Sequence, residues 1–235
     1  MPARLRLLPC FLLLLAGPLG AQNTALRIEQ TVEPRFPGSL TLSTITSGEA
    51  RVVINVDADG SLVDLLVSGY TDQAFADEAV RVLRQWHYAP ATQQGVPVGV
   101  RIEVRIAFST IGRVISISAL DMPDVLTRRF VPPSLVTRVC QPRDLDRPVT
   151  LEQSVTPPNP GQAGPVPTAP RTVLVDFYID ETGRPRMPVA LSFPHLAYAQ
   201  AAVGALSRWR FNAPTRAGKP VAVRVQQEFV FPANS

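Results

Sequence analysis

Cysteine, lysine and histidine are all scarce in this chain of 235 residues, and each scarcity closes off a class of chemistry. Cysteine occurs twice, and Cys10 lies in an apolar run near the N-terminus, so Cys140 alone is left for the body of the chain. That excludes the intrachain disulfides that staple many small exported domains. The only histidines, His87 and His195, do not combine with Cys140 into the clustered spacing of a metal site. Lys219 is the one lysine among 23 basic residues, and the arginines that make up the rest are dispersed along the chain. With no basic stripe, the net charge of +4 does not indicate nucleic acid. An anionic envelope surface or an acidic protein segment is the electrostatic partner this balance favours. No glycine-rich phosphate loop follows a strand, and no serine elbow is present. Asp57, Asp59, Asp180 and Glu181 fall at turns, with fewer oxygen ligands than a calcium loop requires. These absences point away from an enzyme, a cofactor and a bound metal.

The N-terminus has the layout of an export signal. Arg4 and Arg6 precede an apolar run from Leu7 to Leu19, which Pro9, Gly17 and Pro18 interrupt, and Ala21 offers a small residue for cleavage before Gln22. A membrane span needs about 20 apolar residues, and this run is shorter. Residues 1–21 are therefore expected to be a cleaved signal peptide. Their retention would instead make an anchor.

What the chain does have is a pattern that occurs twice without a gap. Gly60, Trp86, Tyr88, Gly95, Pro97 and Phe108 recur as Gly183, Trp209, Phe211, Gly218, Pro220 and Phe231, an offset of 123 residues. A fixed period of this kind marks repeated structural units. In the first copy Val52, Ile54 and Val56 alternate, Asp57-Ala58-Asp59-Gly60 turns the chain, and Leu62 to Val67 returns as a strand. In the second, Val173, Val175, Phe177 and Ile179 alternate before a turn ending at Gly183. Both glycines suit a positive backbone dihedral. The second returning strand contains Pro185 and Pro188, which a sheet tolerates chiefly at an edge.

The period then becomes helical. Phe75, Ala79, Val82, Leu83 and Trp86 share one stripe, as do Tyr198, Ala202, Ala205, Leu206 and Trp209, with each tryptophan expected to close the last turn. Pro90 and Pro214 halt propagation beyond it. A last alternating strand follows. In it Val98, Val100, Ile102, Val104, Ile106 and Phe108 oppose Arg101, Glu103 and Arg105, and the second version opposes Arg224, Gln226 and Glu228 to its apolar row. The expected fold class is α+β: two copies of a small antiparallel sheet in the order strand, strand, helix, strand, each with one helix on one face. The expected core includes Trp86, Tyr88, Phe108, Trp209, Phe211 and Phe231. The expected domains are 22–109 and 148–235, with 110–147 as a linker or extension. Within that segment Val114, Ile115 and Ile117 are expected to prolong the preceding strand, and Phe130-Val131-Pro132-Pro133 to lie extended on the surface. Thr156 to Pro170 is proline-rich and reads as a stiff, exposed connection.

These residues together resemble the C-terminal domain of TonB-type energy transducers from the Gram-negative envelope. The resemblance rests on Pro34-Arg35-Phe36-Pro37, Asp59-Gly60, Trp86-His87-Tyr88, Pro90-Ala91 and Gly95-Val96-Pro97-Val98. The second copy supplies Thr182-Gly183, Trp209-Arg210-Phe211, Ala213-Pro214 and Gly218-Lys219-Pro220-Val221. The resemblance implies a periplasmic domain that grips an extended segment of an outer-membrane receptor by adding it to a sheet edge. An open edge offers the unpaired N–H and C=O groups that such binding needs.

The last strand of each copy is the first candidate edge, with Arg101, Glu103 and Arg105, or Arg224, Gln226 and Glu228, flanking the partner. The bland alternative is that these are solvated strand residues. A non-enzymatic peptide- or protein-binding module of the periplasm, linked to TonB-dependent transport, is the leading function. An anchored energy transducer for outer-membrane receptors is the alternative if residues 1–21 are retained. A self-associating structural protein of the envelope, forming a homodimer through its edges, is the third.

One energetic expectation concerns the tryptophans. If Trp86 and Trp209 are core anchors rather than exposed stacking surfaces, Trp86→Ala or Trp209→Ala lowers unfolding stability by about 3–5 kcal/mol in a urea titration. A loss well under about 1 kcal/mol would assign them to the surface.

Overall fold

The computed structural model describes residues 23–93, 95–110, 114–119, 135–160 and 171–232. The first unit runs β1 (Arg27–Gln30), β2 (Ser47–Val56), β3 (Leu62–Tyr70), α1 (Gln73–Leu83), β4 (His87–Ala89), β5 (Ala91–Gln93), β6 (Val96–Val98) and β7 (Val100–Ser109). Between the units lie β8 (Val114–Ala119), β9 (Val136–Thr137) and β10 (Val139–Cys140). The second unit repeats the first as β11 (Leu151–Gln153), β12 (Arg171–Ile179), β13 (Pro185–Ser192), α2 (Leu196–Leu206), β14 (Arg210–Phe211), β15 (Thr215–Arg216), β16 (Lys219–Pro220) and β17 (Ala222–Phe231). The architecture is α+β, with two small sheets that each carry one helix.

The correspondence extends to single hydrogen bonds. Gly60 and Gly183 both have positive φ, 86° and 81°. A Cβ on Gly60 would stand 2.4 Å from the carbonyl oxygen of Tyr88, and one on Gly183 would stand 1.9 Å from that of Phe211. Only glycine lets the hairpin tip approach the strand that follows the helix, and the Phe211 N–H donates to the Gly183 carbonyl at 2.9 Å. The indole N–H of Trp86 donates to the carbonyl of Val32 at 3.0 Å, and that of Trp209 to the carbonyl of Val155 at 2.9 Å. Each tryptophan thus ties the helix end to the start of its own unit. The helices stop earlier than their stripes imply: α1 ends at Leu83 with Arg84 as its C-cap, leaving Trp86 outside the last turn. The chain leaves the helix there because β4 must pair with β1, as β14 does with β11.

Helix starts are capped by different chemistry at the same place. The Asp72 carboxylate accepts from the Ala74 N–H at 2.8 Å, and Nδ1 of His195 accepts from the Ala197 N–H at 3.2 Å. Phe75, Ala76, Ala79, Val82 and Leu83 bury one face of α1, and Tyr198, Ala199, Ala202, Ala205 and Leu206 bury one face of α2. These meet the inward rows of their sheets, Val52, Ile54, Val56, Val104 and Ile106 in one unit and Val173, Val175, Phe177, Val223 and Phe229 in the other.

Val53 lies between two core residues of β2, so its side chain leaves on the opposite face. There it joins Leu66, Tyr178, Met187 and Ala222 in a third buried cluster, which contains residues of both units. The helix-free faces of the two sheets therefore pack on each other, and the layers run helix, sheet, sheet, helix. The first sheet has the strand order β8-β7-β2-β3-β9 and the second β10-β17-β12-β13.

The chain between the units does more than connect them. Val114, Ile115 and Ile117 do not prolong β7. They lie on β8, which turns back and pairs antiparallel with β7 from Ala107↔Val114 to Ile102↔Ala119. The physical reason is backbone pairing: β2 begins at Ser47, opposite Ser109, so a longer β7 would have no neighbour, whereas a reversed strand recovers a ladder. Residues 136–140 form a strap. The Arg138 N–H donates to the Ser68 carbonyl at 2.9 Å, and its carbonyl accepts from the Ala222 N–H at 3.0 Å. The strap thereby bonds to both sheets. Residues 1–22, Phe130 to Pro133 and residues 161–170 lie outside the described residues.

Gly183→Ala combines a left-handed φ with a backbone clash. It is expected to lower unfolding stability in urea by more than about 1 kcal/mol. A neutral result would mean that the hairpin tip can withdraw from Phe211.

Candidate functional site

A strand-adding site requires an edge, so the site is defined by which edges are taken. β7 is not an edge, because β2 flanks it on one side and β8 on the other. The expectation that Arg101, Glu103 and Arg105 border an open edge is corrected accordingly. All three make contacts within the protein. Arg105 Nε donates to Glu49 Oε2 at 2.8 Å, and the same buried carboxylate receives Arg51 Nε at 2.9 Å. Glu103 accepts from the Ser68 hydroxyl. Arg101 is 9% exposed and turns into the junction between the sheets.

The junction centres on Asp176, which is 1% exposed on β12. Arg101 forms an ion pair with it from the first unit. Arg224 contributes Nε at 3.1 and 3.0 Å to its two oxygens, and Gln226 reaches Oδ1 at 3.4 Å. Three of the six residues singled out in the last strands are thus brought together on one carboxylate. Arg101 and Arg224 occupy the same position in their respective repeats, so a single acid serves both copies. Arg101 also donates through Nη1 to the carbonyls of Met187 at 2.6 Å and Asp176 at 3.3 Å. Its guanidinium lies 5.1 Å from the centroid of the Tyr178 ring. Nε of Arg101 has no hydrogen-bond partner among the described residues. Burial raises the Tyr178 phenol above its ordinary range, opposed by the positive charge of Arg101 and Arg224.

Met187 supplies its carbonyl from a strained position. It has φ 51° at an irregularity of β13, between Pro185 and Pro188, while its side chain fills the shared cluster. β13 is an edge strand of its sheet, which accommodates those prolines.

The β3 edge is closed by side chains. The Leu65 N–H donates to Asp64 Oδ1 at 2.8 Å, and the Leu65 carbonyl accepts from Arg186 Nη2 at 2.9 Å. Arg186 and Asp64 are themselves an ion pair across the units. A charged pair on the backbone groups of an edge is a recognised barrier to pairing with another chain. Two open polar clefts of about 260 and 220 Å³ flank Arg186, one beside Asp64 and Arg84, the other beside Tyr70, Arg138 and Glu181. Arg138 Nη2 and Glu181 Oε1, 2.8 Å apart, add a third contact between the first sheet's strap and the second unit.

β17 differs. β10 pairs only with Ala222 and Val223, and among the described residues no strand lies along the outer edge beyond that point. Gln226 and Glu228 are exposed there, and Val230 is 61% exposed. The remaining chemistry-bearing residues do not converge. Cys140 is buried, with Arg216 Nη1 at 3.8 Å from its sulfur, His195 caps α2, and His87 is exposed on β4. Among the described residues no group of three or more His, Cys, Asp or Glu could hold a metal ion. Nor, among them, is any helix long and apolar enough to cross a membrane.

Asp176 and Asp64 belong to no motif, turn or repeat that the sequence displays. Asp176 left a signal, as the one acid inside the otherwise apolar stretch Val173 to Ile179. Asp64 lies in a mixed strand and left none.

Residues 33–110 match the family model described as Gram-negative bacterial TonB protein C-terminal. The match covers the first unit from just before Pro34 to the end of β7 and makes that unit a TonB C-terminal domain. At the level of the family this is a non-enzymatic, envelope-associated adaptor domain of the periplasm. No curated protein and no solved structure matches the chain. The second unit, β11 to β17, has the same arrangement of sheet and helix without a family match of its own.

Removing one partner of a buried pair strands the other charge. Asp176→Leu is expected to cost about 3–5 kcal/mol in urea unfolding, and Arg101→Leu combined with Asp176→Leu to recover part of that loss. An additive double variant would mean that the two residues do not interact.

Proposed function

We propose that this protein is a periplasmic adaptor that recognises an extended segment of another envelope protein by adding it as a strand to an open sheet edge. The family match of residues 33–110 supports the compartment and the adaptor class. The observation that carries the mechanism is the unequal treatment of edges. β7 is covered by β8 and β3 is closed by Asp64 and Arg186, whereas β17 offers backbone groups from Arg224 onward. The two units read as a tandem duplication in which one copy presents the edge. The other is locked behind it through Asp176, Arg101 and the strap. An outer-membrane receptor is the partner class that the family association favours, and domain limits of 22–109 and 148–235 remain the working division of the chain.

This reading is tested by a photoreactive residue placed at Val230 in the intact envelope, with the same residue at Ala107, its counterpart beside β8, as the control. Adducts at Val230 that map to a short stretch of an outer-membrane protein, and their absence at Ala107, are the expected result. Adducts at neither position, or equally at both, would sink the edge mechanism.

A further inference from the structure

The internal repeat supplies a template for what fits β17. β8 sits on the outer edge of β7, and β17 is the counterpart of β7 in the second unit, with the corresponding outer edge open beyond Val223 among the described residues. We infer that the β17 edge takes an antiparallel strand of about six residues. That strand is apolar in its first two residues, basic at the third and hydroxyl-bearing at the next two, and it lies in the register that β8 adopts on β7. The inference rests on the strand-addition reading above and specifies its ligand.

The backbone of β17 is ready for such a strand. Its register with β12 runs without a bulge from Arg171↔Phe231 to Ile179↔Val223, and the Ala222 N–H already points outward to Arg138. Alternation then turns the N–H and C=O groups of Arg224, Gln226, Glu228 and Val230 outward as well. Among the described residues the Glu228 carbonyl is held only by the side-chain amide of its neighbour Gln227, at 2.8 Å, which an incoming N–H can replace.

The register fixes orientation and pattern. On β7, Ile115 stands opposite Ile106, Ser116 opposite Arg105, Ile117 opposite Val104 and Ser118 opposite Glu103. Carried over by the repeat, these partners become Phe229, Glu228, Gln227 and Gln226. An apolar residue is required opposite Phe229, where the core row continues. Opposite Glu228 the template arginine has become an acid, so a lysine or arginine gains a cross-strand charge pair that β8 itself lacks. Opposite Gln227 and Gln226, threonine or serine is favoured over a large apolar residue. Val230 adds an apolar contact for the first residue of the ligand. Antiparallel entry sets the ligand's N-terminus beside Val230 and its C-terminus beside Arg224.

The test uses the full chain and a synthetic peptide with the sequence of residues 113–120, followed by anisotropy of a fluorophore on the peptide. Replacing the serine at position 116 of the peptide with lysine is expected to tighten binding, and Glu228→Gln in the protein to abolish that gain. N-methylation of one alternating set of peptide amides should weaken binding by roughly three- to tenfold per bond removed, and of the other set should not. A photoreactive group on the peptide N-terminus should mark Val230 and Phe231, and one on the C-terminus Arg224 and Val225. Marking in the reverse order, or on β7, overturns the inference while leaving strand addition standing. Failure of every extended peptide to mark β17 overturns both. A doubled mass without peptide, abolished by Val230→Lys, would put a second copy of the chain on this edge and also overturn it.

Discussion

A small sheet with a helix on one face has a second face that water would otherwise reach, and in this chain each unit covers that face for the other. The apolar contribution to the covering is modest, since the shared cluster is Val53, Leu66, Tyr178, Met187 and Ala222. Polar groups complete it: Arg101 and Arg224 on Asp176, and Arg186 on Asp64. A buried ion pair such as Arg101 with Asp176 contributes little net stability, but separating it leaves a charge without a partner. Any orientation of the units that parts Arg101 from Asp176 carries that cost in addition to the loss of the shared apolar cluster.

The hairpins, helix stripes and closing strands are written in periods of two and three to four residues, which a single sequence displays directly. The same holds for the 123-residue offset. Part of that offset was overlooked at the start of each unit. There Glu29-Gln30 and Val32 recur as Glu152-Gln153 and Val155, just ahead of the matched Pro34 and Pro157, and the structure shows why: Val32 and Val155 receive the two tryptophans. β8 reverses where the sequence predicts continuation, because an apolar run after a strand has no local mark of which it does. The four residues between β7 and β8 include Gly112, but what decides the outcome is where β2 runs out of backbone to pair. Arg101 and Asp176 are 75 residues apart, and nothing in the alternation of either strand announces a partner in the other unit.

Repetition in sequence has not produced equivalence in use. The same edge is occupied by the chain's own β8 in one unit and left free beyond Val223 in the other among the described residues. The same helix start is capped by a carboxylate in one and an imidazole in the other. The same arginine position faces a shared acid from both sides. Each divergence lies on the periphery of a unit, while the glycine turn, the tryptophan anchor and the inward rows are held in common. A scaffold whose core is fixed by packing leaves its edges and rims to be specialised separately.

The strap gives this arrangement a thermodynamic character that a row of repeats does not ordinarily have. Arg138 bonds one sheet through its N–H and the other through its carbonyl, so a single peptide group on either side of its Cα is common property of both units. Melting either sheet removes a bond from the strap that also belongs to the other, and the buried charges at Asp176 are exposed in the same event. Repeat proteins joined by flexible linkers lose their units one at a time. Here the units are coupled at the level of individual backbone bonds, which makes the pair, rather than the repeat, the unit of cooperative unfolding.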